Sequence, residues 1–163
     1  MLKKSLLDAM NGQIKHELYS AYFYLSMSAY FEASNLPGSA RWMRLQAQEE
    51  QGHAMKFFDY IHDRGGQVVL QAIDQPPSDF KSPLDVFERT LAHEQKVTGL
   101  INSLYELAVK ENDYASQSFL QWFVDEQVEE EKNATQIVEM LRMVGDHKGN
   151  LLMLDHRLGE RSE

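Results

Sequence analysis

Glu49-Glu50-Gln51-Gly52-His53 sits in the middle of a long run that reads as helix. A carboxylate and an imidazole three residues apart, as Glu50 and His53 are, project from one helical face and can hold one cation together. Outward from this pair, at steps of three and four, the same face carries Met43, Gln46, Phe57 and Tyr60. That is a buried stripe interrupted by polar residues at its centre. A lone Glu-x-x-His in a helix is commonly two surface residues, so its meaning depends on what other segments offer at the same level.

Three other segments carry comparable stripes. From Ser5 to about Ser34 the face is Leu7, Met10, Ile14, Glu17, Ala21, Tyr24, Ser28 and Phe31, with Ser5 and Asp8 as the expected cap. Asn35-Leu36-Pro37-Gly38 breaks this helix, and Ser39 is placed to cap a second that runs to about Arg64, where Gly65-Gly66 stops it. Residues 67–81, with Pro76-Pro77, keep no helical period and are longer than a tight hairpin needs. They predict a crossover along the bundle. Ser82-Pro83-Leu84-Asp85 then starts a third helix with an N-cap, a proline at the first position and an acid in the first turn. Its face is Leu84, Phe87, Leu91, Glu94, Thr98, Ile101, Tyr105 and Ala108. After the turn Glu111-Asn112-Asp113, a fourth helix is expected from Tyr114 to about Val144, with the face Leu120, Phe123, Gln127, Glu130, Ala134, Ile137, Leu141 and Val144. A short fifth helix follows over 150–158. Its Leu-Leu-Met-Leu run asks for burial and predicts a contact between subunits. The fold class is all-α: a four-helix bundle with a long crossover between helices two and three, a short fifth C-terminal helix, and one domain over 1–163.

Composition narrows the chemistry. The chain has 163 residues, enough for a core that needs no staples, and a formal net charge of -9. An acidic balance disfavours nucleic acid as a partner, because that surface needs clustered Lys and Arg. There is no cysteine. That removes disulfides, thiolate zinc sites, iron-sulfur clusters and a thiol nucleophile, so any metal must take oxygen or nitrogen ligands. The amino terminus lacks the apolar run of a signal peptide and no stretch has the length of a membrane span, so the expectation is no membrane partner and a cytoplasmic location.

Each stripe is interrupted near its midpoint by a ligand type: Glu17, then Glu50 with His53, then Glu94, then Gln127 with Glu130. Midpoints of helices of similar length meet in a bundle whichever way each helix runs, so these six side chains are expected to converge. Burying four carboxylates without counter-charge costs many kcal/mol. No Lys or Arg falls in register on any stripe. Two divalent cations would balance the four charges, and oxygen-rich ligands with one imidazole suit iron or manganese, with zinc able to compete. Tyr24, one seven-residue repeat after Glu17, is placed near such metals for a hydrogen bond or an electron. Trp122 lies off the stripe. His16 and His93 point about 100° from the neighbouring ligands and read as surface.

Together Glu17 with Tyr24, Glu49-Glu50-x-x-His53, Glu94, Gln121-Trp122 and Glu126-Gln127-x-Glu129-Glu130-Glu131-Lys132 resemble the motif set of bacterial non-haem ferritin over essentially the whole chain. The resemblance implies a ferritin-like bundle and a homo-oligomeric shell of 24 subunits. It further implies oxidation of Fe(II) by O2 or H2O2 and storage of the ferric product as a mineral. Carried over, Glu17, Glu50 and His53 hold the first iron, with Glu50 bridging. Glu94 and Glu130 complete the second, and Gln127 lies close by as a ligand or as a hydrogen-bond partner of bound oxygen. Glu49, Glu126 and Glu129 match a possible third iron site, or else form a solvated acidic face.

Departures from related families matter as well. The haem-binding relative, bacterioferritin, has methionine after the bridging carboxylate and a second Glu-x-x-His. Here those positions read Gln51 and Gln127-x-x-Glu130, so haem is not implied. Neither the basic tail of DNA-binding mini-ferritins nor the cysteines of rubrerythrin are present. Two rival classes stay open at this level: a dinuclear oxygenase, which needs a substrate cavity beside the metals, and a structural bundle that binds no metal.

Overall fold

The computed structural model describes residues 1–162. It contains five helices: α1 (Lys4–Ala33), α2 (Pro37–Asp63), α3 (Pro83–Lys110), α4 (Tyr114–Val144) and α5 (Lys148–Gly159). Among the described residues there is no strand, and no helix is long and apolar enough to cross a membrane. The helix α1 packs along α2 and α3 along α4, each pair joined by a short turn. Since α2 ends at Asp63 and α3 begins at Pro83, the segment between must travel about 40 Å, the length of α2, to start α3 at the other end. It is pinned on the way, where Asn11 donates to Gln67 O at 3.1 Å and accepts from Val69 N at 2.8 Å.

The helix ends show why the breaks fall where they do. Asn35 (φ 57) and Asn112 (φ 54) adopt the left-handed conformation just past α1 and α3, which asparagine tolerates better than most residues. Ser82 caps α3 by accepting from Asp85 N at 3.1 Å, and Asp113 caps α4 by accepting from Ser116 N at 2.9 Å. Both agree with the sequence. Asp113 also receives both Arg64 Nη atoms, at 3.0 and 2.9 Å, tying the end of α2 to the start of α4.

Two expected caps are different. Helix α1 begins at Lys4 with Lys3 at the cap position and no side-chain cap, so Ser5 lies inside the helix and bonds Glu111 instead. Helix α2 begins at Pro37 rather than Ser39. Its first N–H groups are satisfied from outside: Asp155 of α5 accepts from Gly38 N at 2.9 Å and Ser39 N at 2.7 Å. A distant carboxylate does what a local serine was expected to do.

That cap fixes α5 within its own subunit. Leu154 and Leu158 are buried beside Trp42 and Leu141, whereas Leu152 and Met153 are 60% and 72% exposed. The apolar run is therefore split, and the expectation that it is spent on a contact between subunits is corrected for its buried half. The helix also starts two residues earlier than the sequence suggested, at Lys148.

The core has two hydrophobic halves. One gathers Met27, Phe31, Met43 and Phe87, the other Met10, Ile14, Phe57 and Phe123. Between them lies a layer of buried polar side chains.

Candidate metal centre

Glu17, Gln46, Glu50, His53, Glu94, Gln127 and Glu130 are each 6% exposed or less, and all come from the midpoints of α1 to α4. Each is positioned because its helix must turn the apolar residues one turn above and below into the core, which carries the intervening polar residue inward. Ligand-type atoms of Glu17, Glu50 and His53 lie within 4.8 Å of one another. His53 Nδ1 stands 3.1 Å from Glu50 Oε2, so the two ligand types already meet.

The fourth-helix side is knit to the third. Gln127 Nε2 donates to Glu94 Oε2 at 3.1 Å and to the Glu94 carbonyl at 3.1 Å. The Tyr24 hydroxyl donates to Glu94 Oε1. Gln46 Nε2 reaches both Glu130 Oε2 at 2.8 Å and Glu50 Oε1 at 3.3 Å, so it spans from α2 to α4. On α1, Gln13 donates to Glu17 Oε1 at 2.8 Å, and Glu17 Oε2 is buried with no partner at all.

The electrostatics follow from burial without counter-charge. Glu17 is held well above the usual carboxylate range, first by burial and then by the Glu50 charge. Glu50 is raised well above it by burial and by Glu94 and Glu130. Burial raises Glu94 against the opposing donors Tyr24 and Gln127, and it pushes Glu130 up to about 8, with help from Glu94 and Glu49. Tyr24 is pushed far above 10 by burial and by Glu94. An acidic layer of this kind, with one carboxylate oxygen orphaned, fits a hard or borderline cation with oxygen and imidazole ligands.

The aromatic neighbours are better ordered than the sequence implied. Trp122 packs edge-on against His53 at 5.3 Å, with Lys56 Nζ 3.9 Å from its ring centre. His93 is not a surface residue: Phe23 at 5.0 Å, Tyr19 and Tyr24 surround it, and its Nε2 lies 2.8 Å from Ser20 Oγ. Burial, with Lys96 and His16 adding to it, lowers its pKa to about 4, so it is a neutral ring. His16 is half-buried as well. Glu49 and Glu129 are exposed and Glu126 is half-buried, raised by burial and by its acidic neighbours Glu129 and Glu49.

A family model described as a ferritin-like domain matches residues 7–144. The chain belongs to the ferritin family. It is similar to the bacterial non-heme ferritin of Staphylococcus saprophyticus, 43% identical over 99% of this chain and 97% of that one. It is also similar to that of Bacteroides fragilis, 44% identical over 99% and 100%. Among solved structures, an open pore ferritin from the hyperthermophilic archaeon Archaeoglobus fulgidus superposes with a TM-score of 0.99 at 49% identity, covering 99% of this chain and 100% of that one. In this ferritin the polar layer lies inside one subunit, between its own four long helices.

Proposed function

We propose that this ferritin stores iron, and that its polar layer is the ferroxidase centre that oxidises Fe(II) with O2 or H2O2 before the ferric product is deposited inside a homo-oligomeric shell of 24 subunits. The observation that carries the reading is the unpartnered Glu17 Oε2 beside Glu50 and His53, a buried group of oxygen and imidazole donors close enough together to share one cation. Glu17, Glu50 and His53 bind one ferrous ion, Glu94 and Glu130 the second, and Glu50 bridges the two. Gln127 stays on Glu94 as a hydrogen-bond partner, where it can also meet bound oxygen. Glu49, Glu126 and Glu129 are proposed as a third, more exposed iron position.

The chemistry needs no organic cofactor, and no haem is invoked. Two Fe(II) give up one electron each; O2 takes both with two protons and leaves as H2O2, or H2O2 takes both with two protons and leaves as two waters. Four carboxylates favour the higher charge of the ferric product. The protons that these carboxyls carry in the metal-free chain leave as the ions enter. Oxygen ligands with a single imidazole hold the product loosely enough for it to move on. A cytoplasmic location and a single domain over 1–163 complete the proposal.

An oxygenase acting on an organic substrate fits less well. Phe57 and Phe123, 4.4 Å apart, close one side of the layer, and Phe23 and Tyr24 close the other. One groove of about 440 Å3 is lined by Ser82, Leu84, Arg142 and His147, away from the layer, and another of about 430 Å3, lined by Tyr60, Phe119, Trp122 and Phe123, lies on the outer side of those rings.

Gel filtration with light scattering, before and after aerobic loading with several hundred ferrous ions per shell, tests the storage reading. It predicts a particle near 24 times the 18.9 kDa chain that stays soluble and retains the iron. A monomer or dimer that binds a pair of ions and precipitates the rest would remove storage and keep only the metal site.

A further inference from the structure

The turn after α5 brings a cation to the rim of the acidic layer. Arg161 has a side chain 21% exposed. Its Nη1 donates to Gln46 Oε1 at 2.8 Å, its Nη2 to Glu49 Oε2 at 2.5 Å, and its guanidinium lies 4.7 Å over the Trp42 ring. A guanidinium has donors and no acceptor, so the amide oxygen of Gln46 must face it. The amide nitrogen is then presented inward, to Glu130 and Glu50, where it is found. One arginine therefore sets the orientation of the side chain that links α2 to α4 across the layer.

The same guanidinium covers a carboxylate that belongs to a wider field. The charge of Glu49 is felt at both Glu126 and Glu130. A divalent ion drawing on both Glu49 oxygens would compete with Arg161 for Oε2, the one the guanidinium holds.

We infer that Arg161 is a positioning residue and tethered counter-ion of the centre, holding the Gln46 amide on Glu50 and Glu130 and occupying at Glu49 the place of a third cation. The inference rests on the dinuclear reading above. It couples third-ion binding to the loosening of Gln46: an ion that takes Glu49 Oε2 displaces the arginine from it. Departure is feasible because Arg161 lies beyond the end of α5.

The test is an anaerobic titration of metal-free protein with Co(II), read by calorimetry and by the visible spectrum of the bound ion. In Arg161→Ala a third ion per chain binds about tenfold more tightly than in wild type. The spectrum of the first pair also shifts, because Glu50 and Glu130 lose their oriented donor. Adding Glu49→Gln to Arg161→Ala returns third-ion affinity to the wild-type level. Unchanged third-ion affinity together with an unchanged spectrum in Arg161→Ala would overturn the inference. A wild-type protein that takes up no tight pair would sink the dinuclear reading itself, and that is read without any variant.

Discussion

Tyr24 on α1 donates its hydroxyl to Glu94 on α3, seventy residues later in the chain, while Gln127 on α4 holds the other carboxylate oxygen. Both lone-pair faces of Glu94 are thus satisfied by neutral donors in a layer with no Lys or Arg among its buried members. Tyr24 is fully buried, so nothing replaces its hydroxyl when it is removed. Tyr24→Phe is expected to cost about 1–2 kcal/mol of stability in thermal unfolding of the metal-free protein. It is also expected to slow Fe(II) oxidation about tenfold, as loss of an outer hydrogen bond to a metal ligand commonly does. Wild-type stability and rate in this variant would make the contact incidental.

The raised carboxyls fix how metal-free stability depends on pH. Glu130 titrates at about 8 when folded and near 4.3 when unfolded, and Glu17, Glu50 and Glu94 shift in the same direction. Between those values the folded chain holds more protons, so the stability these groups allow is complete below about pH 4.3 and is lost as pH rises toward 8. Melting temperature of the metal-free protein should therefore fall from pH 5 to pH 8.5, and Glu130→Gln should flatten the slope. Adding Co(II) at pH 8 should restore the loss, since the ions supply the missing positive charge. A metal-free melting temperature that climbs over this range contradicts the electrostatic account.

The contact between α5 and α2 makes a sharper steric prediction. A Cβ at Gly38 would lie 1.8 Å from the carbonyl oxygen of Asp155, a backbone atom that cannot rotate away. Gly38→Ala should expel α5 at a cost of about 3 kcal/mol and expose the turn at 145–147 to protease. Asp155→Asn keeps the shape but turns an acceptor into a donor facing N–H groups. It should cost less, about 1–2 kcal/mol, and leave α5 docked. Equal protease resistance in Gly38→Ala and wild type would show that α5 tolerates a shift the structure does not suggest.

How much was legible in the sequence can be argued from these same residues. Glu17, Glu50, Glu94, Gln127 and Glu130 were readable because each interrupts an apolar period that a helix cannot break without turning that residue inward. The breaks at Asn35 and Asn112 and the caps at Ser82 and Asp113 are local chemistry, and they were found. Asp155 and Arg161 were not, since they act on residues 116 and 115 positions away, and no period or spacing links a terminal turn to the start or middle of α2. His93 was misread because its neighbour Glu94 faces the layer and a helix turns about 100° per residue. Phe23 and Tyr19 on α1 cover that second flank, and only the packed pair reveals it.

The central claim is that one subunit alone oxidises ferrous iron in pairs, and stopped-flow absorbance after mixing anaerobically loaded protein with oxygen tests it most directly. The account predicts a fast ferric phase whose amplitude saturates at about two irons per chain. Glu50→Ala and Glu130→Ala should each slow that phase by roughly 100-fold or more. A fast phase that saturates at one iron, or that survives both substitutions unchanged, would contradict it.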